Sequence, residues 1–426
     1  MIKRFFLFVF CAGLGAVAWA LAAPYLGRPV PGYEAQLYAD LPRVDWGDGN
    51  AFFVLAGLGA PGATADPYAW GRARALREAH LQEARKAEAG VAPEFRLGLP
   101  PYDWDADPGA QTRPLLTLDT QGLGEVQCLY DPEARKTPCA TPASLNAAIA
   151  RNRTLWDRFE GLPDYPRFAP VLSFGVTKGR WVTWPQDQDP DFWTFYGGSD
   201  LMTLGQMKAA QIILAARAGQ GDASVTEWLR FQGLYRRMAA APGTLVDRAV
   251  TMVLLRQHLT ALRALIRADP AAVRRHAARL KAALAGTEPV AFLRADRMLA
   301  DDLAASHGMM VGSIRETFGT YPTAAMRDMA ACVGAFRAAL RAPGPMAPDF
   351  DCAPFLKISV DDPDAFGLFS VAPLLFAPGG GAPNVVAYLL YSGVSMGTAL
   401  VDSAHRYHAD AQDLRRAIAA LAQETP

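Results

Sequence analysis

The chain has 426 residues, enough for two or three domains of average size or for one large irregular domain. Hydrophobic residues make up 51% of it and charged residues 20%, a balance typical of a globular protein with a large core. Its 42 basic residues equal its 42 acidic ones. Nucleic-acid binding is therefore not expected, because proteins with that function carry an excess or a stripe of positive charge.

The N-terminus has the features of an export segment. Lys3 and Arg4 precede an uncharged, apolar run over residues 5–23, whose length is about enough to span a bilayer as a helix. Positive charge ahead of such a run keeps the N-terminus in the cytoplasm and exports the rest. Small-x-small sequences at residues 18–20 and 20–22 leave cleavage as a signal peptide open.

Residues 1–25 therefore predict a transmembrane anchor or a signal peptide. In either case the remaining chain is expected outside the cytoplasm. The predicted location is the inner membrane, crossed once, with the C-terminal body in the periplasm. If the signal is cleaved, the body is released into the periplasm.

Four of the five cysteines lie beyond the apolar run, in two pairs that are close in sequence. We predict the disulfides Cys128–Cys139 and Cys332–Cys352, because an even number of cysteines in an exported chain is typical of disulfide bonds. The alternatives are four unpaired buried thiols and a zinc site. The zinc site lacks the Cys-x-x-Cys motif or nearby histidine that would complete its ligands.

Residues 26–49 contain prolines and glycines and predict a linker between the membrane and a helical domain at residues 50–426. In that domain a short apolar helix is predicted over residues 50–58. Asp followed by Pro predicts the start of a second helix at residues 66–89. A third is predicted over residues 144–159.

Residues 160–200 form a segment crowded with aromatic side chains. Such residues more often anchor an irregular segment on a helical body, because each buries a large area. The alternative is stacking on a sugar or peptide. It makes Trp181, Trp184 and Trp193 candidate ligand-binding residues.

The clearest helical signal lies in residues 203–285, where four consecutive amphipathic helices are predicted. Capping boxes are predicted at Thr203, Ser224 and Thr244, each a hydroxyl three residues ahead of a carboxylate or amide. Asp269 is predicted to cap the fourth helix, with proline in its first position. Since short loops join these helices, neighbours are expected to lie roughly antiparallel.

Further helices are predicted at residues 290–305, 323–340 and 399–423. No stretch alternates strands with helices as a parallel α/β domain does. The predicted fold class is mainly α: an irregular antiparallel helical array with loop-rich inserts and one N-terminal transmembrane helix.

Gly393-Val-Ser395-Met-Gly397 matches the nucleophile elbow of serine hydrolases, and an apolar run at residues 385–391 precedes it as a strand would. His405 and His408 follow as candidate bases. Too few residues remain, however, for the later strands that carry the acid and the histidine in that fold. We therefore expect no catalytic residues, and the alternative is a periplasmic serine hydrolase using Ser395.

His405 and His408 also share one helix face with Asp402, as metal ligands do. A complete set of ligands is not evident from the sequence. No metal and no cofactor is therefore expected, and exposed polar residues are the preferred interpretation.

The sequence resembles known proteins in two ways. Residues 214–238, with the Gly221-Asp222 turn, resemble one tetratricopeptide-type helix pair, although the next helix is too long and a period of about 34 residues is missing.

More broadly, the chain resembles a family of uncharacterised, membrane-anchored exported bacterial proteins. The matching blocks are the N-terminal anchor, Asn50-Ala-Phe-Phe-Val-Leu-Ala-Gly57, the Asp66-Pro67 helix, the paired cysteines, the Gly-Asp helix pair and the C-terminal helix with Arg406-Tyr-His-Ala-Asp410.

This resemblance implies an all-α extracytoplasmic body without an established activity. The predicted function is protein–protein binding to a periplasmic or inner-membrane partner, through the central helices and the aromatic segment. Cell-wall glycan binding is a further alternative.

Overall fold

The computed structural model describes residues 46–62, 66–88, 98–105, 116–131, 133–134, 138–171, 198–294, 297, 323–341 and 382–423. These residues are mainly α-helical, as predicted, with two isolated β-bridges and no strand among them. The predicted N-terminal anchor and most of the predicted linker lie outside the described residues.

The α-helices, in chain order, are α1 (Ala51–Ala56), α2 (Pro67–Glu88), α3 (Pro142–Arg151), α4 (Arg153–Gly161), α5 (Gly198–Arg217), α6 (Gly221–Ala240), α7 (Leu245–Ala268), α8 (Pro270–Arg275), α9 (Ala277–Ala283), α10 (Pro289–Phe292), α11 (Thr323–Arg341) and α12 (Ala382–Gln423). Short 3₁₀ helices at Val126–Leu129 and Leu162–Asp164 lie between α2 and α5.

α1 forms where an apolar helix is predicted, and all of its residues are buried. The Asn50 side chain caps it, accepting a hydrogen bond from the Phe52 N–H at 3.1 Å and donating one to the Ala169 carbonyl at 2.8 Å. α1 and α2 touch closely: a Cβ on Gly57 would lie 1.8 Å from the Pro67 carbonyl oxygen. Only glycine fits there.

The helix predicted over residues 144–159 is in fact two helices, α3 and α4, which meet at Asn152. Its side-chain oxygen accepts a hydrogen bond from the Asp119 N–H at 2.8 Å, and its amide donates to the Asp119 and Ala148 carbonyls, both at 2.8 Å. Asparagine breaks helices in this way by bonding to backbone groups that the helix would use. Thr141 caps α3, ahead of the predicted start.

The disulfide between Cys128 and Cys139 is present, as predicted. Backbone hydrogen bonds between Glu125 and the segment containing Cys139 hold the two ends of this loop together. Cys332 is fully buried on α11. Its predicted partner, Cys352, lies outside the described residues, so that pairing stays a prediction.

Replacing Cys128 and Cys139 together by serine is expected to lower the free energy of unfolding by about 3 kcal/mol, since the bond restricts the unfolded chain. Urea unfolding of the purified full-length protein measures the change. Cys11→Ser, in the N-terminal apolar run, is the control and should leave the midpoint unchanged. Equal midpoints for the double variant and the parent would show that the bond does not stabilise the body.

The central helices form where the sequence predicts them, but two of the predicted capping boxes are wrong. α5 begins at Gly198, so Thr203 lies inside it. α6 begins at Gly221, and Ser224 lies within the helix. The start of α6 is set instead by the turn at Gly219, whose φ of +86° favours glycine.

The other two predicted caps are confirmed. The Thr244 hydroxyl accepts a hydrogen bond from the Asp247 N–H at 3.2 Å, and the Asp247 carboxylate accepts one from the Thr244 N–H at 2.8 Å. Asp269 caps α8 by accepting from the Ala272 N–H at 2.9 Å. The predicted fourth helix, however, is interrupted at His276, which separates α8 from α9.

α7 lies at the centre of the body, where it contacts α5, α6 and α12. Trp228 on α6 stacks on His258 on α7, with ring centres 4.8 Å apart. The Trp228 indole N–H donates to the His258 carbonyl at 2.9 Å, and the His258 Nε2–H donates to the Trp228 carbonyl at 2.8 Å. These reciprocal bonds fix the register of the two helices.

By length and composition, α7 is also the one described helix apolar enough to cross a membrane. Most of its apolar window is buried inside the body. A core helix has the same composition, because it too is surrounded by apolar groups.

The C-terminal predictions are confirmed in part. The helix predicted at residues 290–305 starts as α10, which ends at Phe292, and Arg294 has a positive φ of 48°. Residues 295–296 and 298–305 of this prediction lie outside the described residues. The helix at residues 323–340 is α11. The helix predicted at residues 399–423 is the second half of α12, which already begins at Ala382.

Candidate functional site: a cleft beside Lys208

An open cleft of about 410 Å³ lies between α3, α5 and α6. Lys208 and Gln211, one turn apart on α5, line one side of it, while Ser224 and Glu227, one turn apart on α6, line another. Leu145 of α3 contributes to its apolar wall. The volume suits a small ligand or a few residues of a peptide.

Lys208 is the buried cation of the cleft, with 5% of its surface exposed. Its Nζ donates to both carboxylate oxygens of Glu160, at 2.8 and 3.0 Å, and to Gln211 Oε1 at 3.0 Å. It lies 2.9 Å from Glu227 Oε2 and 5.1 Å from the centre of the Phe231 ring. Since an ammonium has three N–H donors, these groups use all of them.

Arg230 extends the network along α6. Its guanidinium donates two parallel hydrogen bonds to the Asp164 carboxylate, at 3.0 and 2.9 Å, and a third to Glu227 Oε2 at 3.3 Å. The cations Lys208 and Arg230 thus face the carboxylates of Glu160, Asp164 and Glu227. The network carries one more negative than positive charge.

Burial raises the pKa of the Glu227 carboxyl, but the hydrogen bond and charge of Lys208, together with Arg230, more than offset it. The pKa therefore lies below its ordinary value, and Glu227 is a carboxylate at neutral pH. A charged acceptor thus lines the cleft.

Ser224 is 2% exposed, and its hydroxyl has no hydrogen-bond partner among the described residues. A serine beside a lysine suggests a nucleophile with its base. A base needs a free lone pair, however, and Lys208 donates hydrogen bonds from its ammonium form. Lys208, with its hydrogen bonds donated to Glu160 and Gln211, is therefore not arranged as the base of a serine–lysine pair.

The two histidines of α12 have different environments. His408 Nδ1 lies 2.9 Å from the hydroxyl of the buried Thr287, so this histidine helps to pack α12 against the segment before α10. His405 and Asp402 are exposed. Within the described part of the chain, no group of three or more His, Cys, Asp or Glu residues is placed to hold a metal ion.

The Gly393–Gly397 motif with Ser395 lies inside α12, which is helical from Ala382 onward. The apolar run at residues 385–391 is therefore helix. A nucleophile elbow requires a strand followed by a sharp turn into a helix, which this backbone does not provide. The candidate ligand-binding residues Trp181, Trp184 and Trp193 lie outside the described residues.

Sequence reasoning missed Lys208 and gave Glu227 another role, as the partner of Ser224 in a capping box. One feature of the sequence nevertheless indicated Lys208. Lys208 is the sole charged residue between Leu201 and Leu214. A lone lysine in an apolar helix predicts a buried cation with carboxylate partners, because lysine is rarely buried unpaired.

No family model, curated protein or solved structure matches the chain. The resemblances to a tetratricopeptide pair and to exported anchored proteins therefore stay expectations.

Lys208→Met is expected to lower the free energy of unfolding by about 2 kcal/mol at pH 7, because Glu160 and Glu227 lose the buried ammonium between them and keep Arg230 as a shared, more distant cation. Their partial exposure keeps the loss below that of a fully buried pair. Urea unfolding at pH 7 and pH 4 measures this loss of stability, with Lys281→Met on α9 as the control. The loss should shrink at pH 4, where the carboxylates take up protons; an equal loss at both pH values would contradict this explanation.

Proposed function

We propose that this protein crosses the inner membrane once and binds a protein partner through a helical body in the periplasm. Lys3, Arg4 and the apolar residues 5–23 support the anchor. The Cys128–Cys139 disulfide supports an oxidising compartment. Cleavage of the N-terminal segment, which would release the same body into the periplasm, remains the alternative.

The Lys208 cleft is the observation that supports binding. Its charged groups are already paired with one another, so they keep their positions before a partner arrives. They also belong to helices, which hold side chains more rigidly than loops do. In this proposal the central helices lie roughly antiparallel and form the frame of the cleft.

Cell fractionation with protease accessibility tests the topology. The full-length protein should sediment with the inner membrane, and protease should degrade its body once the outer membrane is opened. Maleimide labelling of denatured protein should show oxidised cysteines before reduction. A body protected in spheroplasts, with reduced cysteines, would exclude the proposed placement.

The serine hydrolase alternative is tested with a fluorophosphonate probe. We expect no labelling that depends on Ser395, because its motif lies in a helix and not in a nucleophile elbow. The purified full-length protein and Ser395→Ala are compared under the same conditions. Labelling of the parent that disappears in the variant would support the hydrolase.

A further inference from the structure

The hydrogen-bonding groups of the Lys208 cleft are fixed by their neighbours. The Lys208 ammonium can only donate, so Gln211 must turn its side-chain oxygen toward Nζ, at 3.0 Å. The amide nitrogen of Gln211 is thereby left as a donor. Gln211 is partly exposed at the edge of the cleft, where a ligand can reach it.

Across the cleft, α6 presents an acceptor. Glu227 uses Oε2 for both Lys208, at 2.9 Å, and Arg230, at 3.3 Å. Its second oxygen, Oε1, forms no hydrogen bond with the described residues and is left to accept one. One turn earlier, the Ser224 hydroxyl has less than 1 Å² of accessible surface and is therefore closed to a ligand in the cleft.

The charges of the site also limit the class of ligand that it can bind. An anion would meet the Glu227 carboxylate and find the donors of Lys208 already used. A purely apolar group would cover the Glu227 oxygen and leave it without a partner, which is unfavourable. A carboxamide carries no charge and has one acceptor oxygen beside donor hydrogens, so it matches these groups.

We propose that the Lys208 cleft binds the carboxamide side chain of an asparagine or glutamine in an exposed segment of the partner protein. The amide oxygen accepts from Gln211, and the amide N–H donates to Glu227. This assignment rests on the proposed partner-binding function and names the chemistry that its site recognises.

A phage-displayed library of random short peptides tests the assignment, with the full-length protein in detergent micelles as bait. Selected peptides should share Asn or Gln at one position, and replacing that residue by Asp or Leu should weaken binding about tenfold or more. Affinities are measured by fluorescence polarisation of the labelled peptides.

Variants of the cleft residues test whether the selected peptides bind in the cleft. Gln211→Glu removes the donor and should weaken binding at least about tenfold. Ser224→Ala removes a hydroxyl that is closed to the cleft and should bind like the parent. Gln412→Glu on α12 is the matched control and should bind like the parent.

A shared charged or apolar residue in the selected peptides, equal affinity of Gln211→Glu and the parent, or failure to select any peptide would each overturn the assignment. None of these outcomes changes the topology measured by fractionation. Capture of a partner at a different surface would leave the proposed function standing while the carboxamide assignment fails.

Discussion

Arg158→Met is expected to destabilise the helical body by about 3 kcal/mol, the loss typical of leaving buried backbone acceptors unpaired. The Arg158 guanidinium on α4 is buried and donates to the carbonyls of Leu58, Ala60 and Gly62, at 2.8, 2.7 and 2.6 Å. These carbonyls belong to the loop between α1 and α2. Methionine keeps the apolar stem of the side chain but leaves all three without a donor.

Urea unfolding of the full-length protein gives this change, and Arg153→Met on the same helix is the matched control. Arg153 is exposed and pairs with Asp157 at 2.9 Å, one turn away. Exposed pairs of this kind contribute little to stability. Equal midpoints for Arg158→Met and Arg153→Met would show that the loop does not depend on the buried guanidinium.

Protonation of His258 is expected to lower stability as the pH drops from 7 to 5, while Asp247, whose pKa burial raises to about 6, adds stability over the same range. Burial lowers the pKa of His258 to about 4, and the positive charge of Lys208 lowers it too, although the hydrogen bond to the Trp228 carbonyl acts in the opposite direction. The unfolded chain has the ordinary histidine pKa and therefore takes up a proton first. Stability from the neutral ring is complete above a pH of about 6.5 and is lost as the pH falls toward 4.

At pH 5 this loss amounts to about 2 kcal/mol, which follows from the difference between the two pKa values. His258→Gln keeps a side-chain N–H donor but does not titrate, so this variant should lose less stability than the parent between pH 7 and pH 5, or gain some through Asp247. His405→Gln, at an exposed position of α12, is the control and should keep the pH dependence of the parent. If His258→Gln has the same pH dependence of stability as the parent, the buried His258 ring is not the source of that dependence.

The features predicted correctly are those that depend on residues close together in the chain. The mainly helical fold follows from apolar spacing, and the caps at Thr244 and Asp269 each involve a bond to a residue three positions away. The Cys128–Cys139 pair is separated by 11 residues. In these cases the spacing of residues along the chain was sufficient for a correct prediction.

The cleft could not be predicted in this way, because its groups come from distant parts of the chain. Glu160 lies 48 residues from Lys208, and Asp164 lies 66 residues from Arg230. The Ser224 prediction is wrong for a different, local reason: a hydroxyl three residues before a carboxylate fits a capping box, but the turn at Gly219 starts the helix earlier. Only the lone charge of Lys208 pointed to the site.

Photo-crosslinking in living cells tests most directly whether the cleft binds a partner protein. Benzoylphenylalanine is placed at Gln220, an exposed residue lining the cleft, or at Ala417, an exposed residue of α12. We expect a discrete protein adduct from position 220, reduced when Gln211→Glu is combined with it, and none from position 417. An adduct from position 417 with none from position 220 would contradict the assignment of the partner-binding site to the Lys208 cleft.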